Sequence, residues 1–149
     1  MKYLKLFEDY GEEYSEDSFN DSVIKDSEGN LLELYHGTDT KFDSFNEEYQ
    51  LNGWLGKGFY FTDDYDFAKE NGKYVMKVLL NIKNPFYVEG EAPSDVYTEI
   101  NKKYNPDKIL NDDIEVLLKN NGHDGVLFKH WDKGNMYSCF YTNQIKIIG

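Results

Sequence analysis

The sequence contains no arginine, and all 16 of its basic residues are lysines. They face 28 acidic residues, which leaves a formal net charge of -12. Binding to a nucleic-acid backbone depends largely on cationic contacts that release counterions, and arginine provides the bidentate clamp that suits phosphate. The composition therefore argues against a nonspecific nucleic-acid binder and against a protein that binds anionic membranes.

The sequence also has only one cysteine, Cys139, and three histidines, at positions 36, 123 and 130. One cysteine excludes an internal disulfide framework and a cysteine-rich zinc site. The histidines lack the spacing of metal ligands, so no metal is expected. No apolar run approaches the ~20 residues of a membrane span, and the N-terminus becomes acidic too early for a secretory signal. We therefore expect a soluble protein of the reducing cytoplasm.

What the sequence does contain is enough apolar material for one domain. Its 149 residues are 40% hydrophobic and 17% aromatic, which can fill a single core. Residues 1–21 hold seven acids and two lysines, so they are predicted to form an acidic leader. Residues 22–149 are predicted to form the folded domain.

Short apolar runs between turn residues predict an α+β domain with a mainly antiparallel sheet and two or three helices. The turn at 26–30 predicts a hairpin between the apolar runs that flank it, with Gly29 available for positive φ. Asp63 or Asp64 is expected to cap a helix that stops at Gly72. Further helices are expected at 94–104 and 111–121, and strands near 56–62, 74–80, 84–88, 124–128, 136–140 and 144–148.

Two of the predicted strands carry an aromatic or imidazole ring beside a glycine. His36 ends one strand and is followed by the small pair Gly37 and Thr38, and Tyr60 lies in a strand entered through two glycines. Gly37 would let a ligand approach the backbone closely, and the two rings could hold a flat heteroaromatic ligand. Each residue also has a purely structural interpretation, as a hydrogen-bonded histidine or a core tyrosine. The residues alone thus predict a ligand-binding α+β domain.

The segments LYHGT at 34–38 and GKGFYFTD at 56–63 resemble the NAD-binding signature of ADP-ribosyltransferases of the diphtheria-toxin and poly(ADP-ribose) polymerase type. The chain is also similar to the small ADP-ribosyltransferase domains of phage polyvalent proteins, and the resemblance covers residues 22–148. It implies a split β-sandwich that binds NAD in a bent form. The segments that recur in the same order are SVIKD at 22–26, LNIKNP at 80–85, GHDGV at 122–126 and NQIK at 143–146.

The resemblance implies a role for each residue of the signature. His36 would hold the adenosine-side ribose and help to orient the nicotinamide half of NAD. The backbone of Gly37 would bind the carboxamide, with Thr38 beside it. Tyr60 would stack on the nicotinamide ring, because the electron-rich face of an aromatic ring attracts a flat cation.

In this family a second aromatic residue, from the helix after the tyrosine strand, often covers the other face of the nicotinamide. Tyr65 and Phe67 both lie in that predicted helix, and the sequence leaves the choice between them open. Lys57, in the turn before the strand, is equally compatible with a ligand contact and with an exposed surface position.

The sequence departs from the family pattern at the catalytic carboxylate. The family glutamate starts the closing strand and stabilises the positive charge that develops on the ribose as nicotinamide leaves. Eight residues before Gln144 stands Met136, which cannot balance charge or accept a strong hydrogen bond. Three interpretations stay open: Asp132 in the preceding turn replaces the glutamate, transfer proceeds without it through binding geometry or a carboxylate of the target, or NAD is bound without turnover.

The function that the resemblance implies is transfer of one ADP-ribose from NAD to a macromolecule. The net charge favours a protein acceptor with a basic patch, and the phage relatives suggest an effector that acts on host or defence proteins in the host cytoplasm. Trp131 would be either an exposed anchor for that acceptor or a core residue. The alternatives are a nucleotide-binding interaction module, for which Met136 is the best argument, an NAD hydrolase, and transfer to a small molecule.

Overall fold

The computed structural model describes residues 17–46, 51–53, 56–92, 94–104, 111–130 and 134–149, with side chains described except at 17–18, 51–53, 56–57 and 111–113. The strands are β1 (Leu34–Thr38), β2 (Leu51–Gly53), β3 (Gly56–Thr62), β4 (Tyr74–Leu80), β5 (Pro85–Gly90), β6 (Gly125–His130), β7 (Met136–Cys139) and β8 (Ile145–Ile147). The helices are α1 (Tyr65–Glu70), α2 (Ser94–Tyr104) and α3 (Asn111–Asn120), with 3-10 turns at Asp17–Asp21 and Thr142–Gln144.

Seven strands form one mixed sheet in the order β5-β6-β7-β3-β1-β4-β8, and β2 pairs with β3 beside this path. All pairs are antiparallel except β5 with β6. β1 and β3 share one register pair in the described residues, Tyr35 with Thr62, whereas β1 pairs with β4 along its whole length. The sheet therefore separates at the β1–β3 boundary. The predicted α+β class and mainly antiparallel sheet are confirmed, and the described residues contain three helices where two or three were expected.

Two hydrophobic clusters lie on opposite faces of the sheet, and β7 belongs to both because successive side chains of a strand alternate between faces. Met136 belongs to the first cluster and Tyr137 to the second, and all four residues of β7 are buried. The first, which we name the helix-side cluster, contains Phe86, Val88, Val96, Ile100, Ile114, Leu118, Val126, Phe128, Met136 and Phe140. The second, the strand-side cluster, contains Ile24, Leu34, Phe59, Phe61, Val78, Leu80, Ile82, Tyr137 and Cys139.

Helix α1 begins and ends where its sequence signals predict. Asp64 is the N-cap, and its Oδ1 accepts hydrogen bonds from the backbone N–H groups of Asp66 at 3.0 Å and Phe67 at 3.2 Å. The helix ends at Glu70, two residues before Gly72. This short helix follows β3 directly, so it places its side chains beside the β1–β3 boundary.

The hairpin predicted around residues 26–30 forms as a turn flanked by a short antiparallel pairing, without full strands on both sides. Gly29 has φ of 87°, and a single bridge joins Lys25 to Leu31. The first apolar run does not become a strand because its polar groups bond elsewhere. Ser22 Oγ donates to the Leu80 carbonyl at 2.7 Å and the Val23 N–H donates to the Ile82 carbonyl at 2.8 Å, so the pairing around the turn ends with the bond from the Leu32 N–H to the Ile24 carbonyl at 3.1 Å.

The acidic leader falls mainly outside the described residues, which begin at Asp17. Its last five residues, Asp17–Asp21, form a 3-10 turn in which Phe19 is buried. The boundary between leader and domain stays a prediction. No helix in the described ranges is long and apolar enough to cross a lipid bilayer.

Candidate active site at the β1–β3 boundary

His36 connects β1 to β3 at the point where the two strands separate. Its Nδ1 donates a hydrogen bond to the backbone carbonyl of Tyr60 at 2.7 Å. Burial lowers the pKa of His36 below its ordinary value of 6.5, against the smaller opposing effect of the bond to Tyr60. The ring is therefore neutral at neutral pH, with the proton on Nδ1 and a lone pair on Nε2. Such a nitrogen can accept a hydrogen bond from a ligand hydroxyl.

Three phenylalanine rings hold the imidazole of His36 in place. The ring centroids of Phe45, Phe61 and Phe42 lie 5.1, 5.4 and 6.2 Å from that of His36. Phe45 also packs against Phe42 in an edge-to-face arrangement at 4.8 Å. No motif in the sequence signals these contacts, because the residues come from separate parts of the chain and meet only in the fold.

The ring of Tyr60 lies on the other side of the sheet from that of His36. Its neighbours Phe59 and Phe61 belong to the strand-side cluster, whereas Tyr60 is partly buried and packs against the helix-side cluster. Met136 is a member of that same cluster. The structure thus associates Tyr60 and Met136 with the same hydrophobic cluster, and it joins Tyr60 to His36 through the backbone carbonyl of Tyr60.

The two candidates for a second ring, Tyr65 and Phe67, occupy different surroundings. Tyr65 is 45% exposed and meets the ring of Tyr35 edge-on at 5.4 Å. Phe67 is partly buried and packs against the helix-side cluster, as Tyr60 does. Phe67 is therefore the residue of the two that shares a cluster with Tyr60.

Gly37 lies against the backbone of α1. A Cβ atom at this position would lie 2.0 Å from the carbonyl oxygen of Ala68 and 3.1 Å from Cβ of Asn71. Glycine is thus needed here for the packing of the helix on β1, a reason that the sequence did not reveal. The hydroxyl of Thr38 donates to the carbonyl of Thr40 at 2.9 Å, so it closes the turn after β1.

Met136 starts β7 opposite Thr62 and is only 8% exposed. Asp63 directly follows Thr62, the register partner of Met136. Its Oδ1 accepts a hydrogen bond from the backbone N–H of Asn135 at 2.7 Å. Burial raises the pKa of Asp63, and the bond to Asn135 opposes this rise. The sequence indicated Asp63 only as a possible helix cap.

Three sequence predictions lie outside the described residues. They concern Asp132, the predicted substitute for the catalytic glutamate, Trp131 in the same turn, and the side chain of Lys57. In the described ranges, no group of three or more histidine, cysteine or acidic side chains is arranged to hold a metal ion.

Gln144, which marks the family spacing to Met136, is buried and uses its whole amide in hydrogen bonds. Its Oε1 accepts from the backbone N–H groups of Phe140 at 3.0 Å and Tyr141 at 2.8 Å. Its Nε2 donates to the carbonyls of Asn81 at 3.0 Å and Asp124 at 2.9 Å. Gln144 therefore joins three segments of the backbone and has a structural role.

The chain matches one described protein family over most of its length. The family model described as "ADP-Ribosyltransferase in polyvalent proteins" matches residues 26–149. No curated protein matches the sequence. Among solved structures, one described as "Crystal structure of an anti-CRISPR protein" is 14% identical, with 78% of this chain and 94% of that chain covered and a TM-score of 0.44. The family match includes β1, β3, α1 and β7, the elements that form the candidate site.

Proposed function

The chain belongs to the ADP-ribosyltransferase family of polyvalent proteins, and from this membership we propose that it transfers one ADP-ribose from NAD to a protein acceptor. The family match over residues 26–149 is the observation that carries the proposal, and it implies NAD as the substrate. In this reaction the bond between ribose C1′ and the nicotinamide nitrogen breaks, and its electron pair leaves with nicotinamide. A nucleophile of the acceptor bonds to C1′ and loses its proton.

The β1–β3 boundary supports this proposal with groups that suit NAD. Nε2 of the neutral His36 can accept a hydrogen bond from a ribose hydroxyl. Residues 36–38 lie past the register pair of Tyr35 with Thr62, so one edge of β1 faces the boundary. Backbone N–H and C=O groups at such an edge are obligatory hydrogen-bonding groups, which suits the carboxamide contact proposed for Gly37.

Tyr60 and Phe67 are the rings that we assign to the nicotinamide. Both pack against the helix-side cluster, and they come from consecutive elements, β3 and α1. A cationic ring gains from contact with aromatic faces, and neither residue carries a charge that would oppose it. Tyr65 stands apart, against Tyr35.

A second candidate function, binding of NAD without turnover, is favoured by the surroundings of Met136. This side chain is buried in an apolar cluster at the position where the family has its glutamate. Asp63 and Asp64, the acids that follow β3, already accept hydrogen bonds from backbone N–H groups. An NAD hydrolase, in which water is the acceptor, would use the same site.

The test is incubation of the purified protein with NAD and a lysate of the candidate host, read by mass spectrometry. An ADP-ribose adduct on one or a few proteins is expected. Free ADP-ribose without an adduct would instead indicate the hydrolase, and intact NAD that co-purifies with the protein would indicate the binding module. The Tyr60→Ala variant should lose the adduct, because it removes the proposed stacking ring.

The matched control for histidine variants at this site is His123. Its Nδ1 also bonds a backbone carbonyl, that of Asn84 at 3.1 Å, and burial also lowers its pKa. It lies beside β5, at the far end of the sheet order from β1. His36→Ala should abolish the adduct and His123→Gln should retain it; equal activity of both would refute the assignment of the site.

A further inference from the structure

Asp63 extends the pairing of β3 with β7 by one residue beyond its last register pair, Thr62 with Met136. Its carboxylate Oδ1 accepts a hydrogen bond from the backbone N–H of Asn135 at 2.7 Å. Its own backbone N–H donates to the carbonyl of Asn135 at 3.3 Å. Side chain and main chain of Asp63 thus hold the same residue, the one immediately before Met136.

Gly134, on the β7 side of this contact, packs closely against Asp63. A Cβ atom on Gly134 would lie 2.5 Å from Oδ1 of Asp63 and 2.7 Å from Cβ of Asp64, so the backbone of Gly134 packs directly on this corner. The Tyr137 hydroxyl accepts a hydrogen bond from Nδ2 of Asn135 at 3.5 Å, and burial, with a contribution from nearby Asp63, raises the pKa of Tyr137 to about 12. A partly buried carboxylate costs free energy unless hydrogen bonds compensate it. The Asn135 N–H provides such a bond to Asp63, and the Gly134 backbone packs against the same carboxylate.

By strand alternation, the carboxylate of Asp63 lies on the face opposite Tyr60 and on the same face as His36, whose ring packs against Phe61. Phe61, two residues earlier on the same strand, and Tyr137 both belong to the strand-side cluster, whereas Met136 belongs to the helix-side cluster. Asp63 is therefore placed to act on the backbone at the start of β7, which it hydrogen-bonds at Asn135.

We propose that Asp63 is a positioning residue of the transferase site, which fixes the start of β7 and so holds Met136 in place relative to Tyr60. This inference rests on the proposed function, since Met136 belongs to the cluster against which Tyr60, the proposed stacking ring, packs. Reaction geometry tolerates little displacement, and a shift of 1 Å can lower a rate by about 100-fold. Loss of the Asp63 contacts would therefore shift the start of β7 and the packing around Tyr60, and so lower the rate of the chemical step.

The test compares three variants at this contact with one elsewhere. Asp63→Ala removes the acceptor of the Asn135 N–H, Asp63→Asn retains an acceptor oxygen, and Gly134→Ala forces a Cβ against the carboxylate. The control is Asp95→Ala, because Oδ2 of Asp95 likewise accepts backbone N–H groups, at 2.9 and 3.1 Å, in the loop before α2. For each protein, kcat and KM for NAD consumption, Tm, and hydrogen exchange of the Asn135 amide are measured.

Asp63→Ala and Gly134→Ala should lower kcat by about 10- to 100-fold with little change in KM, and the Asn135 amide should exchange faster. Asp63→Asn should restore both kcat and slow exchange. Asp95→Ala should lower Tm and leave kcat unchanged. A merely structural role would lower Tm in Asp63→Ala without this loss of kcat and without rescue by asparagine.

The inference is overturned if kcat stays at the wild-type value while the Asn135 amide exchanges faster in either Asp63→Ala or Gly134→Ala. It is also overturned if exchange of that amide does not change. If Asp63→Ala fails to fold, kcat and Asn135 amide exchange are compared between Gly134→Ala and Asp63→Asn, and a lower kcat with faster exchange in Gly134→Ala alone supports the inference. If the wild-type protein neither binds nor consumes NAD, the proposed function fails, and the exchange measurement still decides whether Asp63 fixes the start of β7.

Discussion

His36 and His123 show how the same residue type can differ in what it offers to a ligand. Nδ1 of each bonds a backbone carbonyl, and burial lowers the pKa of each. The hydroxyl of Tyr104 hydrogen-bonds Nε2 of His123. Among the described residues Nε2 of His36 has no such partner. Of the two histidines, His36 is therefore the one whose Nε2 can accept a hydrogen bond from a hydroxyl of a bound ligand.

NAD affinity should depend on the protonation of His36. The folded pKa lies below the ordinary 6.5, so affinity is constant above that value and falls as more acidic pH protonates Nε2. The free energy of unfolding falls in the same direction, because below pH 6.5 the unfolded chain binds protons that the folded protein does not. Calorimetric titration of NAD between about pH 5 and 8 measures the first effect, and urea unfolding measures the second.

The control for this pH profile is His123→Gln, which should keep the acid decline in NAD affinity. His36→Gln should bind NAD more weakly, without that decline. A wild-type affinity that stays constant well below pH 6.5 would contradict the role of Nε2.

Restoring a carboxylate at Met136 should raise the rate of NAD consumption. Met136→Glu places a negative group where the family has one, and a single preorganised electrostatic contact is worth about 100-fold or more in kcat. Met136→Gln has nearly the same shape without the charge, so it is the control and should not raise the rate. Single-turnover assays with NAD measure both. Equal rates of NAD consumption in the two variants would show that a carboxylate at position 136 does not promote the reaction.

At the scale of elements, the packing of α1 on β1 determines the shape of the site. The helix follows β3 after two residues, and its backbone occupies the space over Gly37. Gly72, just past the helix, would place a Cβ within 2.5 Å of the Thr38 backbone. Both glycines are therefore needed for close contact between backbones. A loss of NAD binding in a Gly37 variant would thus not by itself identify a ligand contact.

Gly37→Ala should destabilise the protein by about 1–3 kcal/mol or more, the usual cost of overpacking, because Cβ would lie 2.0 Å from the Ala68 carbonyl oxygen. Urea unfolding measures this change, and NAD affinity should fall with it as α1 is displaced. Gly29→Ala is the contrast: its φ of 87° is strained for alanine, but nothing lies within 4 Å of the added Cβ. It should cost about 1 kcal/mol and leave NAD affinity unchanged; a similar loss of affinity in both would contradict the packing argument.

At the scale of the whole molecule, the net charge of -12 affects which acceptor proteins the chain attracts. An acidic protein without arginine attracts a basic surface over a distance that salt limits to about 10 Å at 0.1 M. The charge supports our proposal of a basic protein acceptor, and it leaves the pyrophosphate of NAD to backbone N–H groups, lysines or solvent.

Transfer to the acceptor should therefore decrease several-fold as salt rises from roughly 0.05 to 0.3 M, because screening weakens encounter between opposite charges. NAD consumption without acceptor should change little over the same range, which is the internal control. Measuring adduct formation and nicotinamide release in parallel separates the effect of salt on transfer from its effect on NAD consumption. Transfer that is insensitive to salt would count against a basic acceptor surface.

Local sequence signals predicted most of the elements and failed where a distant segment competed. The Asp64 cap and the stop near Gly72 depend on neighbouring residues, and both α1 boundaries are confirmed. The hairpin around residues 26–30 forms only in part: a bridge joins Lys25 to Leu31, whereas Ser22 bonds the Leu80 carbonyl, 58 residues away. No property of residues 22–31 encodes that partner.

The sequence by itself determined the family and the residues of its signature, because motifs such as that around His36 are contiguous and keep their order along the chain. Only the tertiary structure decided how these residues meet. His36 reaches Tyr60 through a backbone carbonyl 24 residues away, and Asp63 holds Asn135 across 72 residues. Such contacts depend on strand register and on which face each side chain occupies, and these are set by the packing of the whole sheet.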